Sequence, residues 1–199
     1  MIKNIIFDIS GVIWKGNHSA VLNYMDLDDD KKNEIEDKYF KTWKNIDLGY
    51  EEIETHFNNT KFSFNIDEKY KDMLINYYKY RKFNYDILNL ISNFKSNNYK
   101  VYILSNNNKD AIKYLKDKNV LNVDGYVISC DCHLIKPDKK IYKELFNKYN
   151  LKPNECYFID DRKENILVAK TLSMHGFVFD NNVDDLINDL RKKGVKIDR

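Results

Sequence analysis

Four polar groups in this sequence each follow a short apolar run. Asp8 stands in FDISGVI, with Gly11 three residues on. Ser105 and Asn106 end VYILSN, Lys136 lies in HLIKPD, and the pair Asp160–Asp161 ends CYFIDD. Carboxylates, a lysine and a hydroxyl are the groups that a divalent cation and a phosphate require. Mg²⁺ takes hard oxygen ligands at ~2.0–2.1 Å, one or two of them carboxylates, and Asp8 and Asp161 offer such oxygens. A cation there offsets the charge that would repel Asp8 from a phosphoryl group. Asp8 can then attack phosphorus and form an aspartyl-phosphate, splitting one hard step into two. Lys136 brings a point positive charge to Asp8 and the phosphoryl oxygens. Ser105 Oγ, the Asn106 amide and the backbone N–H groups around Ile9 and Ser10 can donate to the same oxygens.

Taken singly, each group has a plainer reading. Asp8 could cap a turn, Ser105 could end a strand, and Lys136 could be a solvated lysine before Pro137. Asp160–Asp161 could cap a helix opening at Arg162. Four such groups, each after its own strand, are poorly explained by packing.

The elements that must position them read as an α/β fold. Five apolar runs, Ile2–Asp8, Lys100–Ser105, Gly125–Ser129, Cys156–Asp160 and Gly176–Phe179, have the length and content of buried parallel strands. Helical patterns at Tyr85–Ser96, Asp110–Lys118, Asp138–Tyr149 and Lys163–Leu172 separate them. Such alternation predicts a Rossmann-like parallel sheet covered on both faces, with strand ends gathered along one edge. A last helix, about Val183 to Lys192, ends near Gly194, a C-cap residue.

Residues 16–82 break the alternation. They predict helices near His18–Leu27, Asp30–Asn45, Tyr50–Phe57 and Asp67–Arg81, with an aromatic stripe at Tyr70, Tyr77, Tyr78 and Tyr80 that should face a core. The stretch is too long for a crossover and too helical for a loop. It is expected to be an inserted helical cap, leaving residues 1–15 and 83–199 as the core.

Composition excludes several classes. The chain has 199 residues, enough for one α/β domain with a small insertion. Lys+Arg 33 against Asp+Glu 31 leaves a net charge of +2, which makes no case for nucleic acid or membrane partners. Nearly all the cations are lysines; Arg81, Arg162, Arg191 and Arg199 are the arginines. Cys130, Cys132 and Cys156 form no disulfide framework, and Cys130, Cys132 and His133 lack a second ligand pair for zinc. MIKNIIFD reads as a charged strand rather than a signal peptide. A cytoplasmic protein acting on a small phosphorylated substrate is expected.

The motifs DISG, LSN, KPD and IDD, in that order along the whole chain, resemble the haloacid dehalogenase superfamily of hydrolases, in the branch with a helical cap after the first motif. FDISGVI, DLGYEEIE, LSNNN and FIDDRKENI are most similar to bacterial sugar-phosphate phosphatases that hydrolyse glucose-1-phosphate. The resemblance implies a Rossmann-like core, Mg²⁺ dependence and Asp8 as nucleophile. It also implies Ser105 and Lys136 as phosphate contacts, Asp161 as metal ligand with Asp160 beside it, and the backbone carbonyl of Ser10 as a further ligand.

The chain departs from the superfamily at Ser10. Most phosphatases of this kind carry an aspartate there, which protonates the leaving oxygen and then activates water. A serine hydroxyl is a poor proton shuttle at neutral pH. Three readings follow. One is a working phosphatase with another proton donor or a good leaving group. Another is a phosphate-binding or regulatory domain without turnover. A third is a metal-independent 2-haloacid dehalogenase, which needs no such acid; the absence of arginine from residues 15 to 80 argues against its usual halide-binding cap arginine. His18 is expected to be exposed, Arg162 to be a surface helix-cap residue, and Asn165 to steady the acidic loop. Trp14 and Trp43 are expected either to line the entrance or to pack the cap.

Overall fold

The computed structural model describes residues 1–198. Five strands form one parallel sheet: β1 (Asn4–Phe7), β2 (Lys100–Ser105), β3 (Gly125–Ile128), β4 (Cys156–Asp160) and β5 (His175–Val178), in the order β3-β2-β1-β4-β5. The runs predicted from apolar content are these strands to within two residues at each end. β1 is central, and its neighbours are in matching register: Phe7 pairs with Ile103 on β2 and with Ile159 on β4. The residues just beyond Phe7, Ile103 and Ile159 therefore emerge side by side at the carboxyl edge.

Alternation along each strand sorts side chains between two cores. Ile5, Phe7, Val101, Ile103, Tyr157 and Ile159 face one way, onto the helix Tyr85–Ser96 and others on that side. Ile6, Tyr102, Leu104 and Phe158 face the other way, onto Ile141, Tyr142, Ile166 and Ala169. Both faces of a parallel sheet are thereby covered, which is why its strands read as unbroken apolar runs.

Ten α-helices among the described residues follow in chain order: α1 (Asp29–Ile35), α2 (Lys44–Asp47), α3 (Ile53–Asn59), α4 (Glu68–Ile75), α5 (Tyr85–Ser96), α6 (Lys109–Lys118), α7 (Ser129–Cys132), α8 (Lys139–Tyr149), α9 (Lys163–Thr171) and α10 (Val183–Lys192). Asn108 and Asp138 cap α6 and α8 through their side chains. Gly194, at φ +78°, follows α10 as its sequence position predicted.

Between β1 and α5 the chain is helical, with no strand among the described residues. Its ends are tied together: Lys15 N donates to Lys82 O at 2.9 Å, and Asn84 N to Ile13 O at 2.8 Å. Two predicted long helices are broken here. Asp30–Asn45 becomes α1, a π-turn at Glu36–Phe40 and then α2; the wider turn brings Tyr39, Phe40 and Trp43 together into one buried cluster. Asp67–Arg81 becomes α4 and a 3₁₀ turn at Tyr77–Tyr80, divided at Asn76, whose Nδ2 bonds back to Asp72. His18–Leu27 is a 3₁₀ segment ending at Tyr24. Of the aromatic stripe, Tyr77 is the member that is fully buried. No described helix is long and apolar enough to cross a membrane.

Candidate active site

Asp8 follows β1 directly and is buried. Its Oδ1 accepts the N–H of Ile9 at 2.7 Å, and Lys136 Nζ lies 3.0 Å from its Oδ2. The same ammonium donates to Asp160 Oδ2 at 2.6 Å, so Lys136 bridges two buried carboxylates. Its backbone is fixed by Asn106, whose Oδ1 accepts Lys136 N at 2.8 Å and whose Nδ2 donates to Lys136 O at 3.0 Å. Burial pushes the Asp8 carboxyl up to about 7; Lys136 pulls it down, and Asp160 and Asp161 push it up again. Burial opposes the charge on Lys136, but the two carboxylates outweigh it and hold its pKa above the usual lysine value.

Asp160 and Asp161 divide their work. Asp160 is fully buried, and its oxygens are taken by Lys136, the N–H of Arg162 (2.8 Å) and Asn165 Nδ2 (2.9 and 3.0 Å). Asp161 is exposed toward the crevice and packs over Gly11. A Cβ on Gly11 would sit 2.2 Å from Asp161 Oδ2, and Gly11 has φ +76°. Only glycine therefore lets the carboxylate approach. Partial desolvation against the crevice wall and the neighbouring Asp160 together raise the Asp161 pKa.

Oxygens of Asp8, Asp160 and Asp161 lie within 4.8 Å of one another. Beside them, Asn165 Oδ1 is buried without a hydrogen-bond partner. One lysine against three carboxylates and an orphaned acceptor form a donor set that fits a hard divalent cation.

The predicted phosphate contacts fare differently. Ser105 is fully buried beside Asp8 and close enough to favour its ionised form, yet its hydroxyl lacks a well-formed hydrogen bond. Asn106 lines the crevice, but one of its two amide N–H groups is committed to Lys136. The Ile9 N–H turns to Asp8 itself rather than outward. Ser10 lines the crevice.

The crevice is a cavity of about 120 Å³ with two walls. The strand ends supply one. Asn17, His18, Trp43, Asp47 and Tyr77 from the helical insertion supply the other. His18 is a correction: rather than being exposed, it stacks on Trp43 (5.2 Å between ring centroids, 15° between planes) and abuts Phe40. Burial lowers its pKa to about 4, so it is neutral at pH 7. Trp43 lines the cavity, whereas Trp14 is packed out of reach below the Arg81 guanidinium. Arg162 pairs with the exposed Glu164 and also reaches the cavity rim. His133 binds Leu48 O through Nδ1, away from Cys130 and Cys132.

Four residues here escaped sequence reasoning. Asp47 and Tyr77 come from the insertion, where nothing local marks a side chain as facing Asp8. Asn107 lies in an Asn-rich run; it is buried and lines the cavity, with Nδ2 unpartnered. Arg81 falls one residue beyond the arginine-free stretch. It is buried, donates to Gly16 O, and keeps Nε and Nη1 unpartnered.

A family model described as haloacid dehalogenase-like hydrolase matches residues 2–172. The chain belongs to that family. Flavin mononucleotide hydrolase 1 of Arabidopsis thaliana is 36% identical over 69 residues, 35% of this chain and 28% of that protein. Bifunctional epoxide hydrolase 2 of Rattus norvegicus is 27% identical over 100 residues, 47% of this chain and 18% of that protein. The chain thus spans under a third of the length of either. A magnesium complex of a haloacid dehalogenase family enzyme from Bacteroides thetaiotaomicron superimposes with a TM-score of 0.74 at 19% identity, over 94% of this chain and 98% of that one. L-2-haloacid dehalogenase of Xanthobacter autotrophicus, with chloropropionic acid covalently bound, gives 0.67 at 16% identity, over 98% and 85%. The fold is that of haloacid dehalogenase-like enzymes.

Proposed function

We propose that this hydrolase is a Mg²⁺-dependent phosphatase of a small phosphorylated metabolite, a sugar phosphate among the candidates, working through an Asp8 aspartyl-phosphate. The observation that carries this reading is the meeting of Asp8, Lys136 and the Asp161 carboxylate at one strand edge, with the orphaned Asn165 oxygen beside them. Asp8 and Asp161 would hold the cation, with Asp160 and Asn165 behind them and the Ser10 carbonyl as the further ligand that the family resemblance suggests. A bound Mg²⁺ would supply charge neutralisation for the phosphoryl oxygens. Lys136 holds the Asp8 carboxylate in place and adds positive charge where the transferring group arrives. Asn107 Nδ2, unpartnered, and Ser105 Oγ, beside Asp8, are donors for phosphoryl or substrate oxygens. Residues 16–82 act as a cap that walls off water. The small cavity favours a compact substrate, since pockets for larger ligands run to about 300–1,000 Å³.

The test is phosphate release from a panel of phosphomonoesters with Mg²⁺ and with EDTA. Turnover should require the metal and vanish in Asp8→Asn while the fold persists. Chloroacetate belongs in the same panel, because the buried Arg81 offers unpartnered donors that an anion could use. Metal-independent halide release would replace the phosphatase reading with the dehalogenase one. Mg²⁺ binding without turnover of any ester would favour a regulatory domain.

A further inference from the structure

With Ser10 unable to serve as the acid, the cavity must find its proton elsewhere. The groups facing it are Asp8, His18, Asp47, Tyr77, Lys136, Asp161 and Arg162. Asp8 is the nucleophile, and Asp161 belongs to the cation set. Lys136 is shared between two carboxylates, and Arg162 is paired with Glu164. His18 is kept neutral by burial. The Tyr77 hydroxyl donates to Asn107 Oδ1 at 3.3 Å and accepts from Asn108 Nδ2 at 2.8 Å, and burial holds it protonated.

Asp47 remains. It ends α2 on the wall opposite Asp8, and no hydrogen bond or ion pair engages its carboxyl among the described residues. The loop behind it is anchored on the core. His133 Nδ1 bonds Leu48 O at 2.7 Å, and the His133 ring stacks on Tyr50 at 5.0 Å. Gly49, at φ +74°, lies so close to Cys130 that a Cβ would fall 2.5 Å from its carbonyl oxygen. A carboxyl delivered by the insertion and fixed by the core is thus presented across the cavity from Asp8.

We propose that Asp47 is the general acid that protonates the leaving oxygen, in place of the acid that Ser10 cannot supply; this rests on the phosphatase reading of Asp8. As Asp8 Oδ bonds to phosphorus, the bond from phosphorus to the ester oxygen breaks, and that oxygen takes the Asp47 proton and leaves as an alcohol. When water then attacks the aspartyl-phosphate, Asp47 recovers a proton from it, and inorganic phosphate and the Asp8 carboxylate are released. Burial raises the Asp47 carboxyl to about 7, with Asp8 adding repulsion and Lys136 and Arg162 opposing it. A general acid works best with its pKa near the operating pH.

Phenyl phosphate and 2,4-dinitrophenyl phosphate differ in how much their leaving oxygens need a proton, and neither carries hydroxyls for Asp47 to bind. In Asp47→Asn, kcat/KM for phenyl phosphate should fall about 10²–10⁴-fold, and for the dinitrophenyl ester at least ten times less. Residual turnover of the activated ester also reports that the variant is folded. Equal losses on both esters, or no loss on either, overturn the role of Asp47. If instead wild type releases phosphate from neither ester, or Asp8→Asn retains activity, the phosphatase reading itself fails.

Discussion

At Asp8, Lys136 and Asp160 the charges are arranged so that none is free to leave. Two buried carboxylates share one ammonium, and a third, Asp161, stands over Gly11 within ligand distance. His18 shows the opposite use of burial. Its ring is held between aromatic neighbours, and its folded pKa of about 4 lies below the ordinary 6.5. The neutral form is therefore favoured in the folded state. That stability is fully present above pH 6.5 and is lost as pH falls toward 4, by up to about 3 kcal/mol for a shift of this size. His18→Phe keeps the ring stack without the titration. Its urea midpoint should fall less than that of wild type between pH 6.5 and pH 4, and parallel curves would show that His18 protonates as easily folded as unfolded. The type of residue at 18 was plain from the sequence. Its surroundings, contributed by Phe40, Trp43 and Tyr77, were not, because those contacts are made between segments far apart in the chain.

At the scale of elements, register does the positioning. Phe7, Ile103 and Ile159 align across three neighbouring strands, so the polar residues that follow open onto one crevice without any long-range adjustment. The turn after β1 then depends on Gly11. Gly11→Ala would place a methyl group against the Asp161 carboxylate and force a left-handed backbone onto alanine, at a cost of roughly 1–2 kcal/mol. Calorimetric titration of that variant with Mg²⁺ should show affinity lowered at least tenfold, whereas unchanged affinity would place the ligand role of Asp161 in error. The core elements were legible in the sequence because a buried parallel strand is a short apolar run and an amphipathic helix has a fixed period. The helices of the insertion were less so. Their breaks at Glu36–Phe40 and Asn76 come from aromatic packing around Tyr39, Trp43 and Tyr77, which no local pattern encodes.

At the scale of the whole molecule, one hydrophobic cluster runs from the sheet through α5 and α10 into the insertion, joining Ile5 and Phe7 to Tyr39, Trp43 and Tyr77. The two walls of the cavity are therefore parts of one packed body. A cation bound between Asp8 and Asp161 should stabilise that body as a ligand of the folded state alone. At 100 times its Kd, Mg²⁺ would add about 2.7 kcal/mol. For a chain of 199 residues this corresponds to a rise in Tm of roughly 5–10 °C. Differential scanning calorimetry with Mg²⁺ and with EDTA checks it, and a Tm indifferent to the metal would argue against a cation at this site.

The order of the four motifs, by itself, determined the family and fold, and it singled out Asp8, Ser105, Lys136 and Asp161. Each follows a strand, and parallel strands of one sheet leave their carboxyl ends at a common edge. The sequence also exposed the gap at Ser10. What fills the opposite wall was decided only by the tertiary structure. Asp47, His18 and Tyr77 lie in a segment whose path over the sheet is set by packing, and proximity to Asp8 across as many as 69 residues leaves no trace in spacing or period. The same packing half-buries Asp47 and His18 and shifts their pKa values, one upward and the other downward.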